Sequence, residues 1–193
     1  MGQQGEPEMK AYRLDLNDVV QHPGRRVEYP IEIWLEREEA PPLAEPIRGT
    51  LIAESGGRIL RIAGEFHTVV WLECGRCLVF YRMPLEFRIQ EEFPLVGTPA
   101  GLNPHGYAEV EDRDSFPVFE GNGLYVDELL RQYLILNLPI APVCQPDCKG
   151  LCPRCGQNLN EGSCSCPPRA GHPAFEALAR VWYAEENDEE NRR

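Results

Sequence analysis

Positive charge is scarce in this 193-residue sequence: 19 Lys and Arg stand against 31 Asp and Glu, a net charge of -12. A protein that binds nucleic acid by simple phosphate neutralisation has the opposite balance, because Lys and Arg must replace the backbone counterions. Long apolar runs are also missing, and nothing approaches the roughly 18 residues of a membrane-spanning helix. The opening MGQQGEPEMK has neither the apolar heart of a secretion signal nor the Arg and Ser richness of a transit peptide. Glu6 stands where a myristoylation motif needs Ser or Thr. The expectation is a soluble, cytosolic protein. Histidine is rare too: His22, His67, His105 and His172 are the four, and none pairs with a nearby Ser or Cys at a catalytic spacing. There is no phosphate-binding glycine loop, nucleophile elbow or HExxH motif. Enzymatic function is not expected.

A hydrophobic share of 42% excludes disorder throughout and is enough to bury a core. From Val27 to Phe93 the pattern is that of strands. Ile31, Ile33 and Leu35 alternate with Glu32, Trp34 and Glu36, and Leu85, Phe87 and Ile89 alternate with Glu86, Arg88 and Gln90. Before them, Tyr12, Leu14 and Leu16 predict one short strand within a leader segment, residues 1–26. Glu54-Ser-Gly-Gly-Arg58 is a turn signal. The three prolines of Glu38–Pro46 predict a surface loop, since proline cannot donate to a sheet ladder. Gly97 to Gly123 is rich in Gly, Pro and acid and reads as a long loop. A helix fits Asp127 to Asn137, with Asp127 as cap, an apolar stripe of Leu129, Leu130, Tyr133 and Leu134, and Pro139 as the stop. A second, short helix after Pro173 puts Phe175, Leu178 and Trp182 on one face.

The fold class expected is therefore α+β: an antiparallel sheet, barrel-like in its curl, with a packed helix and a small cysteine-rich C-terminal segment. In domain terms, residues 1–140 make the β-rich core with its acidic loop and helix. Residues 141–184 make the cysteine-rich segment and terminal helix, and 185–193 a solvated acidic tail.

All eight cysteines fall in two places: Cys74-Gly-Arg-Cys77, and the crowded stretch Cys144, Cys148, Cys152, Cys155, Cys164 and Cys166. Without a secretion signal, an even count of cysteines reads more readily as metal ligands than as disulfides. Zinc suits thiolates and tetrahedral geometry. Cys152-Pro-Arg-Cys155-Gly156 has the form of a knuckle, in which two thiolates three apart grip one ion and Gly156 permits the tight turn. The expected first site is Cys152, Cys155, Cys164 and Cys166. A second would join Cys74 and Cys77 to Cys144 and Cys148. Four-thiolate sites have no open position, so the metal is expected to be structural. The alternative is a thiol-based redox- or metal-sensing protein using Cys74 and Cys77 as a reversible pair, although this pair joins strands rather than opening a helix. An iron–sulfur cluster fits neither ferredoxin spacing.

Three features remain open. Arg76 and Arg154, each inside a cysteine pair, are either solvent-exposed or contacts for RNA phosphate or an acidic partner. The acids of 109–114 are a solvated loop or a metal or acid–base cluster. His67 is a packed or surface histidine of a strand. The charge is also uneven: residues 100–128 carry a net of -6, and residues 141–175 a net of +1. A basic protein partner is at least as good a fit as naked RNA.

Taken in order, a strand-rich half with Cys74-x-Arg76-Cys77-Leu78, the helix ending at Leu138-Pro139, the CKGLCPRCGQNLN segment with its following Cys-x-Cys, and a Pro-initiated helix resemble one family. It is the bacterial YceD family, named for large ribosomal RNA subunit accumulation, with relatives in plant plastids. The resemblance covers about residues 10–183. One departure is His172-Pro173-Ala174 where the family pattern has Asp-Pro-Arg, which puts in doubt any role for an acid or arginine there. The resemblance implies a non-enzymatic factor for large-subunit rRNA accumulation or ribosome assembly. Its partners would be a large-subunit ribosomal protein or rRNA-processing factor, with rRNA a further candidate. Neither a membrane nor a small-molecule substrate is expected. The cysteine reading yields a direct test: Cys152→Ser is expected to lower bound zinc and the protease resistance of the C-terminal segment, read by metal analysis and limited proteolysis.

Overall fold

The computed structural model describes residues 12–35 and 40–166. Its contacts divide the chain into two compact units, Met1–Cys148 and Lys149–Arg193. Cys144 and Cys148, which the sequence groups with the C-terminal segment from residue 141, therefore go with the first unit. The expected helix after Pro173 and the acidic tail lie outside the described residues.

In the first unit, β1 (Arg13–Asp15) leads into α1 (Asn17–Gln21). There follow β2 (Arg26–Ile33), β3 (Leu43–Ser55), β4 (Ile59–Glu73), β5 (Phe80–Gly97), β6 (Ala108–Val110), β7 (Phe119–Glu120), β8 (Gly123–Tyr125) and α2 (Val126–Leu136). Strands β2 to β6 pair antiparallel in sequence order, and β1, β8 and β7 make a smaller sheet. The larger sheet is a half-barrel. Period-two patterning sets its faces. Along β4, Leu60, Ile62, Phe66, Thr68 and Val70 are buried, while Arg61, Glu65, His67 and Trp71 are exposed. Along β5, Leu85, Phe87, Ile89 and Phe93 turn inward. The core is completed by Leu16, Val19 and Val20 from around α1 and by Val126, Leu129, Leu130 and Leu134 of α2. The helix stripe expected from sequence thus lies against the core. Among the described residues no helix is long and apolar enough to cross a membrane.

Three local expectations are corrected. The residue flanking α2 is Tyr125, without a side-chain cap, and Asp127 sits buried inside the first turn. There its charge still faces the positive end of the helix. Pro46 is buried within β3 rather than in a loop, and the ladder shifts register between Leu43 and Arg48. An irregular ladder there tolerates a residue that lacks an N–H. The Gly97–Gly123 stretch is likewise more ordered than its composition implies, because side-chain amides stand in for missing sheet neighbours. The buried Gln21 donates to Ala108 O at 2.7 Å and accepts from Ala108 N at 3.1 Å. Asn122 donates to Ala108 O at 3.0 Å and accepts from Val110 N at 3.0 Å. One Asp112 oxygen accepts from Val118 N and Phe119 N at 2.8 and 3.1 Å. That carboxylate is committed to holding its own loop.

The inner face depends on two residues that lack a side chain. Gly49 and Gly64 lie beneath the Phe66 ring, which stacks on Phe87 at 5.8 Å between centroids. A Cβ on Gly49 would stand 2.1 Å from the backbone oxygen of Glu65 and 2.5 Å from the Phe66 ring. Backbone cannot yield as a flexible side chain can. Gly49→Ala is expected to destabilise by about 1–3 kcal/mol, the range for overpacking, seen as a lower urea midpoint with unchanged slope.

Candidate metal centres

The two cysteine turns are built alike. At the β4–β5 turn, the Cys74 amide donates to Val79 O at 3.0 Å and the Leu78 amide to Cys74 O at 2.9 Å. In the second unit, the Cys152 amide donates to Gln157 O at 2.8 Å and the Gly156 amide to Cys152 O at 2.9 Å. In both, the residue after the second cysteine is left-handed: Leu78 at φ 58° and Gly156 at φ 73°. This backbone brings two thiols three residues apart to the same side of a tight turn. Leu78 is the one non-glycine in that conformation among the described residues, and adopting it costs about 1–2 kcal/mol.

Each turn meets a second pair of thiols. The Sγ atoms of Cys74, Cys77, Cys144 and Cys148 lie within 4.8 Å of one another, and so do those of Cys152, Cys155, Cys164 and Cys166. These are the two groupings expected from the sequence. In the first quartet the Sγ separations include 3.8 Å for Cys74–Cys148 and 3.6 Å for Cys77–Cys144. A disulfide would bring sulfurs to about 2.05 Å, and all eight cysteines are free. Four sulfurs at about 2.3 Å from a tetrahedral zinc are separated from one another by about 3.8 Å. The donor set and its spacing therefore fit zinc.

The first quartet is tied together by its backbone. Gly75 N–H donates to Pro142 O at 2.8 Å. The Arg76 guanidinium donates to Cys148 O at 3.0 Å and to Pro146 O at 3.4 Å, and its amide donates to Cys74 Sγ at 3.4 Å. Arg76 is therefore engaged with the arm that carries Cys144 and Cys148. In the second unit, Leu151 bridges Asn158, Leu159 N donates to Gly150 O at 2.9 Å, and Lys149 N donates to Asn160 Oδ1 at 2.8 Å. Arg154 is exposed there.

The thiols are electrostatically unequal. Burial pushes the Cys74 thiol up, but the backbone around Cys144, Cys77 and Arg76 outweighs it and leaves the group lowered to about 6. Backbone at Cys155 and Arg154 lowers Cys152 to about 6. Burial raises Cys144 to about 12, and its thiol contacts with Cys77 and Cys148 push the same way. The thiol contact with Cys155, and then burial, raises Cys166 to about 12. In each quartet one thiolate is favoured and a second is opposed, because anions crowded in a small volume repel. A bound dication would remove that repulsion.

The other candidates are placed elsewhere. His67 is exposed on β4 opposite Glu86 of β5. His22 Nδ1 lies 2.8 Å from Asp18 O, and His105 is on an exposed loop. His172 lies outside the described residues. No histidine approaches either quartet among the described residues. Sequence reasoning missed the carbonyl-binding role of Arg76, which no spacing signals.

Twin thiol turns, one at the end of a long antiparallel hairpin and one on a small separate unit, define a cysteine-knuckle β protein with two candidate tetrathiolate centres. The chain belongs to the YceD family: the model for "Large ribosomal RNA subunit accumulation protein YceD" matches residues 62–181. A relative from Zea mays, named large ribosomal RNA subunit accumulation protein YCED homolog 1, chloroplastic, is 30% identical over 132 residues, 57% of this chain and 45% of that protein. The Arabidopsis thaliana protein of the same name is 28% identical over 130 residues, 55% of this chain and 39% of its own. A Mycobacterium tuberculosis protein is 36% identical over 93 residues, 45% of this chain and 39% of its own. The chain thus spans less than half the length of these relatives. No solved structure matches it.

The left-handed position of the second turn supplies a prediction. Nothing lies within 4 Å of a Cβ built on Gly156, so substitution there meets a backbone penalty without crowding. Gly156→Val is expected to weaken cobalt(II) uptake by the second quartet about ten-fold, from a left-handed penalty of about 1–2 kcal/mol. Titration of the thiolate-to-cobalt absorption reads this, and the first quartet's uptake should not change.

Proposed function

We propose that this chain is a non-enzymatic factor in large-subunit ribosomal RNA accumulation, an acidic adaptor whose two cysteine quartets hold structural zinc. The observation that carries the reading is the closed four-thiol arrangement in a member of this family. Four protein donors leave no position for water or substrate, so an ion there holds the backbone and does no chemistry on a ligand. Cys74, Cys77, Cys144 and Cys148 would hold one zinc, and Cys152, Cys155, Cys164 and Cys166 the other. The names of the plant relatives supply the connection to large-subunit rRNA.

The electrostatics favour a basic protein, a ribosomal protein or rRNA-processing factor, as the direct partner. A net charge of -12 repels phosphate at long range and attracts cations. The weakly positive stretch 141–175 would be the part that touches RNA. Free thiols suit a reducing compartment, and the cytosol is the place we assign. The redox alternative is less well supported, since the Cys74 and Cys77 thiols face Cys148 and Cys144 across the quartet. Sedimentation of the tagged protein from a native extract, with and without RNase, tests the reading. It is expected to travel with immature large subunits and to leave them after RNase. A protein that stays at the top of the gradient in mild salt has no stable ribosomal association, and the proposal falls.

A further inference from the structure

The outward face of the β4–β5 hairpin changes character at its cysteine end. Over most of its length this face is a charge ladder. Glu65 pairs with Arg88 at 3.0 Å and Arg61 with Glu92 at 2.8 Å, while Arg48 reaches across from β3 to Glu32 at 3.0 Å. Near the turn the charges give way to apolar side chains: Trp71, Leu78, Val79 and Phe80 are 40%, 56%, 43% and 66% exposed. Trp71 stands opposite Arg82, and Glu73 opposite Phe80. Directly paired residues share a face, so Trp71, Glu73 and Phe80 project together, with Trp71 and Phe80 as diagonal neighbours.

Two things make this patch more than scattered exposure. Its backbone is held in place, because the Cys74 and Leu78 backbone bonds close the turn and Gly75 and Arg76 tie it to the 142–148 arm. Its charge is also specific. Arg82 is paired with Glu45, whereas opposite the exposed Glu73 carboxylate stands an aromatic ring instead of an arginine. Two exposed aromatic faces beside a carboxylate make a receptor for a guanidinium or ammonium group, through cation–π attraction and a charge-assisted hydrogen bond. The Glu73 carboxylate itself repels phosphate. Trp is also a residue over-represented at the energetic centres of protein interfaces.

We propose that Trp71, Glu73 and Phe80, flanked by Leu78 and Val79, form a docking face for an arginine- and lysine-rich segment of a protein partner. This deepens the adaptor reading by giving its partner a chemistry and a place, and it rests on that reading only for its biological setting. The test is amide-resolved NMR on the full chain, zinc-loaded and reduced. The probes are a peptide alternating Arg and Lys with Ser, its Gln-for-Arg/Lys counterpart, and a single-stranded oligouridine.

The basic peptide is expected to shift the amides of residues 71–82 and the Trp71 indole N–H. Trp71→Ala and Phe80→Ala should each weaken it about ten-fold or more, as loss of an interface anchor does. Glu73→Gln should weaken it too, whereas a Glu111→Gln and Asp114→Asn double variant should bind as the parent does. Trp71, Glu73, Phe80 and Asp114 are exposed and Glu111 is half-buried, and an unchanged spectrum away from the patch verifies each variant's fold. Equal loss in the Glu111 and Asp114 variant would reduce the effect to bulk charge and overturn the proposal. So would equal binding of the Gln peptide, absence of peptide shifts, or shifts at these amides with oligouridine alone. Concentration-dependent shifts of the same amides without any probe would assign the face to a second copy of the chain. Peptide docking without ribosomal co-sedimentation would keep this face and remove the assembly role, and the converse result would do the opposite.

Discussion

The pairing of β4 with β5 is the constraint on which the first unit depends. The ladder runs without a register shift from Ile59–Pro94 to Glu73–Phe80. A one-residue slip would turn Leu60, Ile62, Phe66 and Val70 to solvent and bring Arg61, Glu65 and His67 into the core. The cysteine turn is the end of that ladder, so the geometry of the thiols and the register of the core are fixed by one set of hydrogen bonds. The candidate metal ligands of the first unit are therefore not an appendage to the sheet. Their first pair is the point where the sheet reverses.

Much of this was legible in the sequence because it rests on local rules. Alternation in β2 and β5 and the stripe of α2 are direct consequences of side-chain period. The cysteine groupings were legible for another reason. Thiols three apart on a tight turn can serve only one ion, so eight cysteines with two such turns leave few ways to divide. What was not legible depends on distant partners. Nothing near Ala108 announces that Gln21 and Asn122 will complete its hydrogen bonds, and so an acidic, Gly- and Pro-rich stretch reads as loose. Nor does Pro46 reveal that the β3 ladder is irregular there. Asp127 has the composition of a cap, yet the chain enters α2 one residue earlier from β8 and carries it into the first turn.

The two thiol turns share a backbone but differ in what surrounds them. The first is the end of a sheet with an extensive buried core, and Leu78 holds its left-handed position despite its Cβ. The second occupies a small unit whose described residues carry a single isolated β-bridge, and glycine takes the same position. A strained residue persists where surrounding structure over-determines it. The YceD family takes its name from large ribosomal RNA subunit accumulation, and the acidic composition of this chain separates it from proteins that bind RNA by charge alone.

The meander of β2 to β6 also has a consequence for the order in which the chain can assemble. Each strand pairs with its neighbour in sequence, so the sheet can form progressively as the polypeptide lengthens, with modest loop-closure cost at every step. The first quartet cannot. Cys74 meets Cys148, 74 positions along the chain, and Cys77 meets Cys144 across 67. During synthesis Cys74 and Cys77 leave the ribosomal tunnel well before Cys144 and Cys148 do. Closure of that quartet therefore reports that translation has passed α2, a chemical milestone late in the making of the first unit.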